Sequence, residues 1–277
     1  MNENEKISLG GANGGNNGGN NNMGSDGEFA VPTENVSLPS LGVFYPNKNK
    51  SVTIRYMTAE SDNALFSTDL VRSGKVLDVI LDESVLDKDI RPVDMISGDR
   101  NLLLIEIRKT GFGNEYFPDE KKHCSACGED YNPMVDLDKL KPKVLEVMPD
   151  EDGLYPLIMP VTKTPIRFRL LRGSDENRLS RLIESGKKGK AGNLKPTKLI
   201  TERYLLQIME VNGNKDKIYI SKFISAMPTK DSLFFREYNK QVEPGIDLSY
   251  DFECPFCHDI ENSQVRIDSR LFYPEVE

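Results

Sequence analysis

Four cysteines, arranged as Cys124-Ser-Ala-Cys127 and Cys254-Pro-Phe-Cys257, are the residues of this chain best suited to chemistry. Two residues between cysteines let a tight knuckle aim both sulfurs at one point. Two knuckles then supply the tetrahedral four-thiolate set that zinc prefers. The pairs stand 130 residues apart, far beyond the span of a compact zinc ribbon, so the fold has to bring them together. The expectation is one structural zinc per chain, held by Cys124, Cys127, Cys254 and Cys257 in a closed set with no position open to a substrate. His123 and His258 adjoin the knuckles and are expected to hydrogen-bond the cluster rather than ligate the metal.

The same sulfurs admit other uses. Cys254-Pro-Phe-Cys257-His258 matches the CxxCH pattern of c-type haem attachment, and Cys-Pro-Phe-Cys resembles a thioredoxin-type redox pair. A redox pair belongs at a helix start after a strand, near the beginning of a βαβ unit, whereas this one lies 20 residues from the carboxyl terminus. Haem attachment leaves the other CxxC unexplained. Disulfides are disfavoured because the amino terminus carries no apolar stretch of the secretory type.

Composition narrows the remaining classes. A chain of 277 residues, 38% hydrophobic and 29% charged, suits one large or two small domains with a sizeable core. No run of about 18 apolar residues occurs, so no membrane segment is expected. The net charge of −8 argues against broad, phosphate-driven nucleic-acid binding. The one basic stretch, Lys187, Lys188, Lys190, Lys195 and Lys198, is interleaved with Gly186, Gly189 and Gly192. It has no aromatic residue to stack bases and reads as a solvated loop. The chain has two histidines, no nucleophile elbow, no P-loop, no dinucleotide fingerprint and no HExxH. No enzyme and no small-molecule substrate are expected.

The elements that must position the cysteines fall into two similar series. Residues 1–28 hold eight Gly and eight Asn and are expected to be a disordered tail, because they cannot bury enough apolar surface to offset the entropy of ordering. After it, 29–150 and 151–277 read as two α+β halves. Val36 to Met57 and Leu154 to Leu171 each run from a proline-punctuated stretch into a strand of period two, with Ile54 and Tyr56 around Arg55, and Phe168 and Leu170 around Arg169. Acidic helix starts follow at Glu60 and Asp62, and at Asp175 and Glu176. Further helices open at Asp99 and Asp231, and a CxxC pair and a short strand (Val135–Leu137, Val265–Ile267) close each half. The expected fold is two strand-helix-CxxC halves around one shared, zinc-ribbon-like four-cysteine site, with the Lys/Gly loop as an insertion in the second half.

Three further groups invite a functional reading. Asp99 and Arg100 are expected to cap a helix and to pair with a carboxylate. The run Asp150-Glu151-Asp152 is expected to be a solvated turn between the halves. Val43-Phe44-Tyr45-Pro46 and Phe272-Tyr273-Pro274 are either partner-binding surface or buried strand ends, and composition does not choose between them.

The order of these motifs resembles a known family. LPSLGVFYP, a strand ending Arg55-Tyr56-Met57, Gly98-Asp99-Arg100 followed by Leu102-Leu103-Leu104-Ile105, then Phe112-Gly113, Tyr116, CxxC and Val135-Asp136-Leu137 are similar to the baseplate proteins of T-even-like contractile-tailed bacteriophages. That family includes hub subunits and a hub assembly factor, and the similarity covers about residues 31–277. The resemblance implies a late, structural role in tail assembly in the host cytoplasm, or in the virion baseplate, through contacts with other baseplate and hub proteins. It carries no active-site residues. A zinc-ribbon regulator that binds nucleic acid and a thiol oxidoreductase remain the alternatives.

Overall fold

β1 (Thr33–Ser37) and β2 (Ser51–Arg55) pair antiparallel, with Val36 opposite Val52 and Glu34 opposite Ile54. Alternation in β2 buries Val52 and Ile54 completely and leaves Ser51, Thr53 and Arg55 partly exposed. The turn between the strands depends on Gly42. Its φ of 71° is left-handed, and a Cβ there would stand 2.3 Å from the Asn49 carbonyl oxygen. The computed structural model describes residues 30–68, 70, 75–187 and 198–272. The tail 1–28 and most of the Lys/Gly loop lie outside them.

Helices α1 (Ala59–Phe66) and α2 (Val76–Ser84) follow, and Val85 bridges back to Ile54. Helix α3 (Ser97–Phe112) is the axis of the first core. Leu102, Leu103, Leu104, Ile105 and Ile107 are all buried, so apolar residues meet neighbours on every side and the helix is interior. Gly113, with φ 74°, ends it. Short strands come next: β3 (Glu115–Tyr116) pairs with β6 (Val135–Asp136), enclosing the hairpin of β4 (Lys122–His123) and β5 (Asp130–Tyr131).

A second core forms on the antiparallel sheet of β8 (Tyr155–Ile158), β9 (Pro165–Phe168) and β10 (Ile208–Val211), with β9 in the centre. Helices α4 (Gly173–Lys187) and α5 (Leu199–Gln207) separate β9 from β10, and α6 (Lys217–Ala226) and α7 (Thr229–Val242) follow. The inner face carries Tyr155, Ile166, Phe168, Ile208 and Val211. The Phe235 ring stands edge-on to both Phe168 and Tyr204 at 5.0 Å, a favourable aromatic geometry. After α7 the chain forms β11 (Gly245–Ile246), which pairs with β7 (Pro142–Lys143). The hairpin of β12 (Ser249–Glu253) and β13 (Ile260–Gln264) follows.

This last hairpin does not stay with the second core. Tyr250, Phe252, Val265, Leu271 and Phe272 pack into the first core instead, across the boundary expected at residue 150. Arg108 fixes the crossing. Its buried guanidinium donates to three backbone carbonyls, those of Leu271 (2.6 Å), Gly113 (2.9 Å) and Glu115 (3.0 Å). The two cores also meet where α3 and α4 begin. Ile96 bridges Arg172, the Ser97 N–H donates to Leu171, and the Gly173 N–H donates to Met95. The described unit from Pro32 onward is thus a mixed α/β arrangement with two cores, the carboxy-terminal hairpin packing into the first.

Asp99 and Asp231 perform matching tasks. Asp99, in the first turn of α3, is not that helix's cap; it reaches out to the β1–β2 turn, where the Ser40 N–H, the Ser40 hydroxyl and the Tyr45 hydroxyl donate to it. Asp231, in the first turn of α7, accepts from the Val161 N–H (2.7 Å), the Thr162 N–H (3.0 Å) and the Thr162 hydroxyl (2.8 Å) in the β8–β9 turn. Burial acts to raise the pKa of both carboxyls. At Asp231 the donors outweigh burial and hold it below the ordinary range, whereas at Asp99 burial prevails and it lies above. A depressed carboxyl stabilises the fold above its unfolded pKa and loses that contribution as pH falls through its folded pKa. Asp231→Asn is therefore expected to cost about 2 kcal/mol near neutral pH and progressively less below about pH 4. Urea titrations of both proteins across that range measure it.

Arg100 does pair with a carboxylate, at 2.6 Å from Asp78, which also accepts from Asn177 at 2.6 Å. The Asp150–Asp152 turn holds a protein cation: Arg167 lies 2.7 Å from Asp150 and 2.6 Å from Asp152. Tyr45 and Phe272 are buried, and Phe44 packs on Tyr155 with ring centroids 6.5 Å apart; Tyr273 and Pro274 are outside the described residues. The expected strand over Val135–Leu137 is present as β6 and yields to a 3-10 turn at Leu137. Val265–Ile267 is not a strand: β13 ends at Gln264, and the Val265 N–H turns back to Leu248.

Candidate metal centre

Each cysteine pair occupies the tip of a β-hairpin, and the two tips are built alike. In the first, Lys122 pairs with Tyr131 and His123 with Asp130; in the second, Phe252 pairs with Glu261 and Glu253 with Ile260. Each register is the other displaced by 130 residues. The turn bonds also coincide. The Cys124 N–H donates to Glu129 and the Gly128 N–H to Cys124, while the Cys254 N–H donates to Asp259 and the His258 N–H to Cys254, all at 2.9 Å. Gly128 and His258 occupy the same position and share the left-handed conformation, with φ 81° and 62°.

Gly128 isolates the cost of that conformation, because a Cβ there would meet nothing within 4 Å. Gly128→Ala is expected to destabilise the metal-loaded protein by about 1 kcal/mol with unchanged metal content. Chemical denaturation with metal analysis of the same samples measures both.

The fold brings all four sulfurs together. They lie within 4.8 Å of one another, with Cys124 Sγ 3.6 Å from Cys257 Sγ and Cys127 Sγ 3.7 Å from Cys254 Sγ. A tetrahedron with metal–sulfur arms of about 2.3 Å has edges of about 3.8 Å, so these spacings fit one ion at the centre. They are far too long for a disulfide, and all four cysteines are free. Cys124 and Cys254 are buried, whereas Cys127 and Cys257 face outward. The CxxC pairs sit in hairpin turns, which is neither the helix start of a thiol oxidoreductase nor an arrangement that sets Cys254 and Cys257 apart for haem.

Two of the crowded sulfurs, Cys124 and Cys257, are pushed in opposite directions. The Cys127 backbone N–H, aimed at the Cys124 sulfur, leads the effects that bring its thiol down to about 7. The Asp259 N–H lowers Cys257 in the same way, but desolvation and the sulfurs of Cys124, Cys127 and Cys254 push it up to about 12. The Cys124 thiolate forms readily, whereas the neighbouring sulfurs hold the Cys257 thiol protonated. A dication removes that hold.

The neighbours hold the hairpins in place. The Lys122 ammonium donates to Ser263 at 2.6 Å and stands 4.1 Å above the Phe252 ring, tying the first hairpin to the second. The Tyr250 hydroxyl accepts from the Asp136 N–H at 3.1 Å. His123 and His258 are not among the clustered ligand atoms. Their Nδ1 atoms bond the carboxylates of Asp130 (2.8 Å) and Glu253 (2.6 Å), not the sulfurs as expected. Lys122 and Tyr250 escaped the sequence reading; the alternation of Tyr250 and Phe252 into the cysteine pair is the only signal that marks the second.

Fold and site together define a mixed α/β protein with a four-cysteine cluster able to hold a metal ion. Comparison with protein-family models, with curated proteins and with solved structures finds no match. Among the described residues, no helix is long and apolar enough to cross a membrane.

Proposed function

We propose that this chain is a non-enzymatic structural or assembly protein, held by one structural zinc and working through protein–protein contacts, in the baseplate hub of a contractile phage tail. The observation that carries the scaffold reading is the tetrad itself. Two hairpins from distant parts of the chain converge on one closed set of four sulfurs, and thiolates favour zinc, which adopts the tetrahedral geometry without redox chemistry. A closed set offers stiffness and no position for a substrate. The baseplate reading rests on the resemblance of the motifs between Leu38 and Leu137.

We also infer that the halves are diverged copies of one unit, related by a pseudo-twofold axis through the metal. Three correspondences support this: the matched registers of the knuckle hairpins, the turn-holding roles of Asp99 and Asp231, and the pairings Ile54 with Val85 and Phe168 with Ile208.

Mass spectrometry of purified virions against infected-cell lysate tests the assignment. Presence in virion tails, or in tail intermediates alone, supports it and separates component from assembly factor. Absence from both, with tight DNA binding at about 150 mM salt, would replace it with the nucleic-acid regulator.

A further inference from the structure

We propose that the outer face of the second knuckle hairpin, anchored by Phe256 and Ile260, docks a basic segment of a partner protein that inserts an apolar side chain. This deepens the reading that the chain works through protein contacts and does not depend on its being a baseplate protein.

Phe256 and Ile260 are 61% and 63% exposed, although the knuckle turn between them is closed by the Cys254 N–H bond to Asp259 and the His258 N–H bond to Cys254. The metal site does not require them. The first knuckle makes the same turn with Ala126 and Asp130 at the corresponding positions. Two large exposed apolar side chains, Phe256 in the knuckle turn and Ile260 at the start of β13, lose solvent contact only when something covers them.

Charge selects the occupant. Side chains alternate along a hairpin, so Phe252 and Tyr250 turn inward while Asp251, Glu253, Ile260 and Asn262 share the outer face. Asp251 bonds Asn262 (2.7 Å) and Glu253 bonds His258 (2.6 Å). Among the described residues, neither carboxylate has a lysine or arginine within salt-bridge distance, nor does Asp259. Glu261, on the opposite face beside Phe252, has Lys122 at 3.7 Å. A four-thiolate zinc adds a net double negative charge directly beneath. An acidic rim around apolar anchors repels nucleic acid and anionic lipid. It also repels a second copy of itself, and it attracts lysine and arginine.

The test titrates the full-length, zinc-loaded, isotope-labelled protein with a short synthetic peptide alternating lysine with leucine and phenylalanine. Control peptides carry glutamate for lysine, or serine for the apolar residues. Saturable binding, with amide shifts confined to residues 249–262 and affinity falling with salt, is the expected result. Both control peptides should fail. Phe256→Ser and Ile260→Ser should each weaken binding about tenfold while keeping one zinc per chain. Unchanged affinity in a zinc-loaded Phe256→Ser protein overturns the proposal, and so do shifts spread over the molecule. Concentration-dependent dimerisation abolished by Phe256→Ser would assign the face to a second copy. Binding that tightens about tenfold when the lysines of 187–198 are replaced by alanine would assign it to this chain's own segment. Either outcome overturns the partner. Absence of the protein from phage tails would leave the peptide result standing, and failed peptide binding would leave the tail assignment standing.

Discussion

Cys257→Ser is expected to abolish stoichiometric zinc binding and to unravel both knuckle hairpins, even though Cys257 is exposed. Packing alone predicts little from removing a sulfur at the surface, since surface substitutions usually change stability by less than about 0.5 kcal/mol. Coordination predicts the opposite. Four thiolates share one dication, and the apparent free energy of a structural zinc in small zinc domains is about 10–16 kcal/mol, comparable with the whole stability of a typical domain. Cys254→Ser, at a buried position, should behave the same way, and the equality of the two is the signature of a metal. The loss should extend inward, because Tyr250 and Phe252 of the second hairpin, with Val265 just beyond it, complete the first core. The second core, built around Phe168 and Phe235, has its own packing and should retain more protection. Hydrogen exchange on wild type, on both variants and on chelator-treated protein reads this region by region. A Cys257→Ser protein with wild-type protection at 122–131 and 249–264 would remove the metal from the account. Because the ligands are thiolates, zinc should also be released as acid protonates them, so retention falls with falling pH.

Gly98→Ala is expected to be the most damaging alanine substitution at any of the described glycines. The new Cβ would stand 1.8 Å from the Pro244 carbonyl oxygen and 2.9 Å from the Gly245 Cα, both backbone atoms. Gly245 in turn lies against the Gly98 Cα, so two glycines form the crossing where the start of α3 meets β11. No rotamer relieves such a contact; the strand must move, and with it the β7–β11 pairing that precedes the second hairpin. A cost of about 3 kcal/mol or more follows. Gly111→Ala is the control. It lies in the same helix, its Cβ would meet only the Met57 side chain at 3.1 Å, and alanine favours helix by about 1 kcal/mol. Thermal denaturation should therefore separate the two variants widely. Equal, small effects would mean that β11 does not lie on α3 in solution.

The two expectations differ in what made them visible. The cysteine site was legible because its chemistry is local: two residues between sulfurs define a knuckle in any fold. The Gly98–Gly245 contact was not. Gly98 reads only as the start of a helix, and Gly245 as the stop after α7. Their contact depends on how two distant elements cross, which no local pattern encodes. Asp99 shows the same limit. Its place before an apolar run suggested a cap, yet its partners, Ser40 and Tyr45, are more than 50 residues away.

The sequence by itself determined the four-cysteine set, the alternating strands at Ile54 and Phe168, and the helix through Leu102–Ile105. Each follows from residue types at short fixed spacings, where period and chemistry act together. Only the tertiary structure decided that the second hairpin packs into the first core, and that the histidines serve carboxylates instead of sulfurs. It alone also set Phe256 and Ile260 facing outward. The physical reason is common to all three. Where a side chain points depends on which surfaces remain to be buried once every element is placed, and that sum runs over the whole chain.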